Sequence, residues 1–281
     1  MKSNIFPGIF TLFIAVSTFY ACEEIPPNIN MDPPVIPDST TELIANRILI
    51  EDFSGVHCIN CPNSAIKLDD LMAQYPGRII GVVVHPDNIF TNPYPGDSSL
   101  VADEATDLES LLGTPSGYPV GGVNRRIFPG ESQILTNFDK WAGFVFGELK
   151  DTADVKVRIE TAWDSTSRTV TATVTLIYNV ADTREQFLTV EVTESKIIAE
   201  QLTPTGEEED YEHNHVLRKM FTAYTGESIQ SSFTKGDSIV KTYNTTLKDW
   251  WIENNCNVVA IVHYGSDSLN VINVNEEEVV D

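Results

Sequence analysis

The chain has 281 residues, with 41 aspartates and glutamates against 18 lysines and arginines, for a formal charge of −23. A surface this acidic repels phosphate backbones, so nucleic acid is excluded as an expected partner, while solubility outside the cytoplasm is favoured. The length allows two modest domains or one large one.

Met1–Lys2 is a short basic start, and Ile5–Val16 is an apolar run of signal-peptide length, too short for a transmembrane helix. "FYAC" at 19–22 resembles a bacterial lipoprotein cleavage box, which makes Cys22 the expected lipidated N-terminus. Residues 1–21 are thus read as a signal segment. Residues 22–43, rich in proline and without apolar periodicity, are read as an extended tether. Lipid and tether together predict a folded part held near a membrane and outside the cytoplasm.

"NRILIEDFSG" (46–55) carries the solid apolar block Ile48–Leu49–Ile50, which predicts a strand covered on both faces. After the C-x-x-C at Cys58 and Cys61, Ile66, Leu68, Leu71 and Met72 fall near helical spacing, and Pro76–Gly77 stops that helix. "RIIGVVVHP" (78–86) is a second buried strand, so strand, helix and strand form a βαβ unit with parallel strands. Residues 87–97 read as a loop, followed by an acidic helix capped at Ser98 or Ser99, a short strand or hairpin around "GYPVGGVNR", and a helix over 136–150. After residue 151 the period changes to two. "VKVRIETAW", "RTVTATVTLIY" and "FLTVEVTES" alternate strictly, and six or seven such strands predict an antiparallel β-sandwich. Segment 207–226 breaks the alternation and is read as a long crossover with some helix. The expected fold class is therefore α/β plus all-β, with an α/β domain over 44–151 and a β-sandwich domain over 152–281.

With Cys22 lipidated, Cys58, Cys61 and Cys256 are left, and Cys58 with Cys61 form the natural couple. A C-x-x-C between a buried strand and a helix start can be a redox pair, a structural disulfide or half of a metal site. The helix start favours a thiolate on the first cysteine and places it partly exposed, with the second shielded a turn further in. Pro62 suits the first turn, where its missing N–H costs little. As a staple the pair closes too small a loop to constrain the unfolded chain much. As a structural zinc site it needs two more ligands, and His57, His85 and Cys256 lack diagnostic spacing. No metal and no cofactor is expected. Protonated His57 would stabilise a Cys58 thiolate. His213 and His215 would share a face on a strand. Cys256 reads as a buried inert thiol, and one ring of Trp250–Trp251 as core.

"ILIEDFSGVHCINC" resembles the thioredoxin active-site segment, with an acid six residues before the first cysteine and an aromatic five before it. The resemblance implies that Cys58 attacks, that Cys61 resolves, and that Asp52, buried beneath the pair, moves the proton. Glu51 should point to the other face. The resemblance also implies a cis proline facing the cysteines, which falls on Pro119 after Tyr118. His57 and Tyr118 would then border the substrate groove. The signal, the tether, "EDFSGVHCINCP", "GYPVGGVNR" and "HNHVLR" together resemble the outer-membrane-protein-28-related lipoproteins of Gram-negative bacteria. That implies a thioredoxin-like domain followed by an immunoglobulin-like β-sandwich on a lipid anchor in the cell envelope at the outer membrane. The expected function is thiol–disulfide oxidoreductase or isomerase chemistry on the thiols or disulfides of exported proteins. The alternative is a non-enzymatic lipoprotein that binds a protein or glycan, with the C-x-x-C as a structural disulfide.

Overall fold

The computed structural model describes residues 45–150, 152–265 and 268–280, which belong to one compact unit. The signal segment, the tether and Cys22 lie outside the described residues. The protein is mostly β, with several sheets. No described helix is long and apolar enough to cross a membrane.

The first half runs β1 (Ile48–Phe53), α1 (Cys61–Gln74), β2 (Ile79–Val84), α2 (Ala105–Leu112), β3 (Val120–Val123) and α3 (Trp141–Glu148). β1 and β2 pair in parallel, as the βαβ reading requires, and β3 joins the far edge of β1 antiparallel. α2 begins at Ala105 after Glu104, six residues beyond Ser98–Ser99, so neither serine caps it. The second half contributes β4 (Val155–Asp164), β5 (Thr169–Tyr178), β6 (Gln186–Glu194), β7 (Ile197–Thr203), β8 (Gly206–His213), β9 (Val216–Met220), β10 (Glu227–Gln230), β11 (Ser238–Thr246), β12 (Cys256–Tyr264) and β13 (Val271–Glu278). Within segment 207–226, residues 207–213 and 216–220 are therefore strand rather than helical crossover. Its acidic β8 pairs with β7 as a hairpin, and β9 enters the main sheet.

One eight-stranded sheet runs β13-β12-β6-β9-β2-β1-β3, with β10 also on β6. It crosses residue 151, drawing strands from both halves. The seam is narrow: β2 meets β9 in parallel through Val83 opposite Val216, and the Val83 N–H donates to the His215 carbonyl at 2.7 Å. A three-stranded sheet, β11-β5-β4, stacks on the β6 and β12 end. There Val157, Val174 and Leu176 meet Val190, Val192, Val258 and Val262 in one core. A second core spans the 151 boundary outright, with Leu49, Val82 and Leu108 packed with Leu217, Val259 and Val274. The change of period at 151 marks a change of pattern, and the hydrophobic core continues through it.

Alternation along β1 sorts its side chains. Ile48 and Ile50 join Leu68, Leu71, Trp141 and Val145 under α1 and α3, while Leu49 and Phe53 join the α2 side. Gly121, opposite Asp52 on β3, lets the Trp141 ring lie against the sheet. A Cβ there would come within 2.4 Å of that ring and 2.5 Å of the Glu51 carbonyl.

Candidate functional site

α1 begins at Cys61 with Pro62 in its first turn, so Cys58 stands just outside the helix, joined to it by the bond from the Cys61 N–H to the Cys58 carbonyl, 3.1 Å. Cys58 and Cys61 are bonded as a disulfide. Only 4% of Cys58 and 2% of Cys61 is exposed, so the expectation of a partly exposed Cys58 is corrected. Two segments from elsewhere in the chain cause this. On one side, loop 87–97 packs on the approach to the cysteines. The His57 N–H donates to the Phe90 carbonyl at 2.8 Å, and the His57 and Tyr94 rings lie 4.2 Å apart. Gly55 permits that seating, since a Cβ there would meet the Phe90 carbonyl oxygen at 2.6 Å. On the other side lies the β7–β8 hairpin. The Leu202 N–H donates to the Val56 carbonyl at 2.8 Å, and Gln201 Nε2 donates to the carbonyls of Cys58 at 3.2 Å and Gly55 at 3.3 Å.

Asp52 is fully buried on the α1 face of β1. Its Oδ2 accepts from Ser64 Oγ at 2.7 Å, and the same hydroxyl lies 2.9 Å from the Cys61 carbonyl, which ties the carboxyl to the first turn of α1. Its Oδ1 has no partner. Burial pushes the Asp52 carboxyl up to about 7, and the Ser64 hydrogen bond opposes that shift only in part. Glu51 points the other way, into a bidentate pair with Arg125 at 2.7 and 3.0 Å, with both side chains wholly buried. Arg125 also faces Glu191. Burial, then the Glu51 charge, pushes the Glu191 carboxyl up to about 8 against the pull of Arg125.

The Tyr118–Pro119 peptide bond is cis. Phe53 pairs with Val120, so Pro119 comes alongside Ser54 at the start of the cysteine loop. The Tyr118 hydroxyl donates to Glu109 and accepts from Asn88 Nδ2 at 2.9 Å, and its ring meets Phe90 edge-on at 5.6 Å. Loop 87–97 thus holds both His57 and Tyr118.

A cavity of about 50 Å³ lies between α1 and the hairpin, lined in part by Cys61, Asp69, Gln201, Tyr211, His213 and His215. His213 ends β8 and His215 follows it with φ of 57°, so the two do not share a strand face, yet both reach this cavity. His213 is held neutral, its pKa lowered to about 4 by burial, and its Nε2 has no partner. Among the described residues no group of three or more His, Cys, Asp or Glu side chains could hold a metal ion. Cys256 is a buried free thiol whose pKa burial pushes up to about 12, and Trp251 is core while Trp250 is exposed. Sequence reasoning missed the hairpin and loop 87–97 as parts of the site. The one available signal was the run "EEEDYEH", in which Tyr211 and His213 alternate with acids as a half-covered strand would.

No curated protein matches the chain in sequence. Among solved structures, HBP35 of Porphyromonas gingivalis is similar at 20% identity and a TM-score of 0.64, over 84% of this chain and 76% of that one, which is a likeness of fold. An Agrobacterium tumefaciens protein is 15% identical over 84% of this chain and 96% of its own, at a TM-score of 0.46. A domain of the outer membrane lipoprotein Omp28 from Porphyromonas gingivalis is 14% identical over 45% and 88%, at 0.32. The family model described as outer membrane protein Omp28 matches residues 111–281, well over half of the chain. The chain belongs to the Omp28 family of outer membrane proteins, and its place is the outer membrane of the cell envelope.

Proposed function

We propose that residues 44–151 form a thioredoxin-like frame, that the sandwich of the second half serves as its wall, and that the protein, anchored through lipidated Cys22, exchanges thiols and disulfides with exported proteins. The observation that carries this reading is Asp52. A disulfide kept only as a staple has no use for a buried carboxyl, joined to the Cys61 carbonyl through Ser64 and with one oxygen unpaired, an arrangement that costs stability. A carboxyl poised near neutral pH can take a proton from the resolving thiol.

In the reduced protein, the Cys58 thiolate attacks one sulfur of a substrate disulfide and expels the other as a thiolate, leaving a mixed disulfide. Cys61 then gives its proton to Asp52 and attacks Cys58 Sγ. The Cys58–Cys61 disulfide re-forms, and the substrate leaves with two electrons gained. The oxidised form runs the same steps backwards on substrate dithiols. Pro119 and Tyr118 on one side and His57 on the other would border the incoming peptide.

Cys61→Ser in the full chain is expected to trap mixed disulfides with envelope proteins, and Cys58→Ser almost none. Adducts from neither variant, with a Cys58–Cys61 potential well below about −300 mV, would remove the reading. The burial of both sulfurs favours a second one, a binding protein whose disulfide is structural, and that outcome would select it.

A further inference from the structure

The β7–β8 hairpin pairs only with itself and stands outside both larger sheets. Its neck is made of two facing segments, Ser195–Lys196 and Asn214–His215. They are linked by the Lys196 N–H to Asn214 Oδ1 at 2.9 Å and the His215 N–H to Ser195 Oγ at 3.0 Å. Lys196 and His215 both have φ of 57°, a left-handed conformation that non-glycine residues rarely hold. Glu194 opposes Val216 on one side of the neck and Ile197 opposes His213 on the other, so the antiparallel ladder is interrupted at the same level in both legs, where a hinge would lie.

Beyond the neck, few ties hold the hairpin down. They include the Leu202 and Gln201 bonds to the cysteine loop, the Glu200 N–H to Asp97 Oδ2 at 2.7 Å, the His213 ring edge-on to His85 at 6.2 Å, and a small apolar cluster of Val56, Leu100 and Val216 with Tyr94 and Ile197. The underside is imperfectly filled: the 50 Å³ cavity remains, and the buried His213 Nε2 is unpaired. Beside β7, between residues 96–98 and residues 250–252, a cavity of about 330 Å³ opens, bordered by Ile198, Trp250 and Ile252. Their exposures are 55%, 59% and 53%, so apolar surface lies on both walls of that space. Movement into it would bury these groups while uncovering the cysteines, and the hydrophobic gain would offset the ties lost.

We infer that the β7–β8 hairpin is a lid that pivots at its neck, covers the Cys58–Cys61 disulfide when closed, and swings toward Trp250 and Ile252 to expose it. The lid regulates the site assigned above, and the claim that a protein thiol is what it admits rests on that reading. The movement itself does not.

The test uses the full chain with dithiothreitol as the probe. Gln201→Ala removes the ties to the Cys58 and Gly55 carbonyls, and Asp97→Asn weakens the tie to Glu200 without changing volume. Each is expected to speed reduction of Cys58–Cys61 about fivefold, the usual effect of one lost hydrogen bond on an opening equilibrium. Hydrogen exchange should show the amides of 197–213 opening together and faster than those of β6 and β9. Trp250→Ala, which removes the wall that receives the open hairpin, should slow reduction. Should Gln201→Ala fail to fold, Asp97→Asn carries the test alone. Unchanged reduction rates with hairpin amides as slow as β6 would overturn the lid. A lid that opens, in a chain whose Cys61→Ser variant traps nothing, would keep this inference and remove the exchange reading.

Discussion

Glu51 and Asp52 are neighbours in sequence and equally buried, yet they stand in opposite chemical situations. Strand alternation sends one to each face of β1. On the α2 face, Glu51 meets Arg125 in two parallel hydrogen bonds, the geometry in which guanidinium best offsets the loss of water. On the α1 face, Asp52 meets one serine hydroxyl and no cation. The first arrangement keeps a charge inside the protein by pairing it. The second leaves a carboxyl whose charge is unfavourable until the pH rises past about 7. Burial is the same for both, and the side chain each one meets differs: a guanidinium from the turn after β3 for Glu51, a serine hydroxyl from α1 for Asp52.

The comparison is broken most severely from the Glu51 side. Arg125→Ala leaves Glu51 and Glu191 buried without their cation, and should destabilise the protein by about 3–5 kcal/mol in urea unfolding at pH 7. The Asp52 side should respond with the opposite sign. Its folded pKa lies above the usual 3.8, so its neutral form contributes stability that is fully present below about pH 4 and lost as pH rises through 7. Asp52→Asn should therefore stabilise the fold by about 2–4 kcal/mol at pH 8 and by little at pH 4. A variant less stable than the parent at pH 8 would refute the assignment.

His213 sharpens the contrast, because its depressed pKa carries the reverse pH dependence. Stability falls as pH drops from 6.5 towards 4, where the unfolded chain binds a proton that the folded one refuses. His213→Asn should flatten that decline by about 1–2 kcal/mol between pH 6.5 and 4, read from denaturation midpoints across that range. The smallest effect belongs to Ser64→Ala. Loss of the one hydrogen bond to Asp52 should cost about 1 kcal/mol and raise the Asp52 titration further, measurable by NMR of that carboxyl.

Much of this contrast was legible in the sequence. The block "ILIEDF" predicts a strand with both faces covered, and period-two alternation assigns Glu51 and Asp52 to opposite sides without any coordinates. The resemblance of that segment to thioredoxins implies Asp52 under the helix start, and the Ser64 bond ties it to the first turn of α1. What could not be read was long-range. Arg125 lies 74 residues from Glu51, in a turn that shows no periodicity. The hairpin over the cysteines lies about 140 residues away, and its β8 is so acidic that composition argues for a solvated loop. Its strand character comes from pairing with β7, and the alternation of Tyr211 and His213 with acids is the one local sign of it. For the same reason the burial of Cys58 went unread, since a helix start looks open until a remote segment is laid across it. The change of period at 151 was real, but periodicity does not say which strand edges meet.

The Val83–Val216 seam has a consequence for how this protein is made. An exported chain emerges amino end first, so β1, α1 and β2 reach the far side of the membrane before β9 exists there. Until residue 216 arrives, the open edge of "IIGVVV" is a flat, apolar, uncharged row of unpaired N–H and C=O groups, the kind of edge on which other chains add. The first half in isolation, residues 44–151, is accordingly expected to self-associate rather than remain monomeric in size-exclusion chromatography. In the cell the same interval is the one in which a periplasmic holdase would find its binding segment, and it ends when β9 closes the edge.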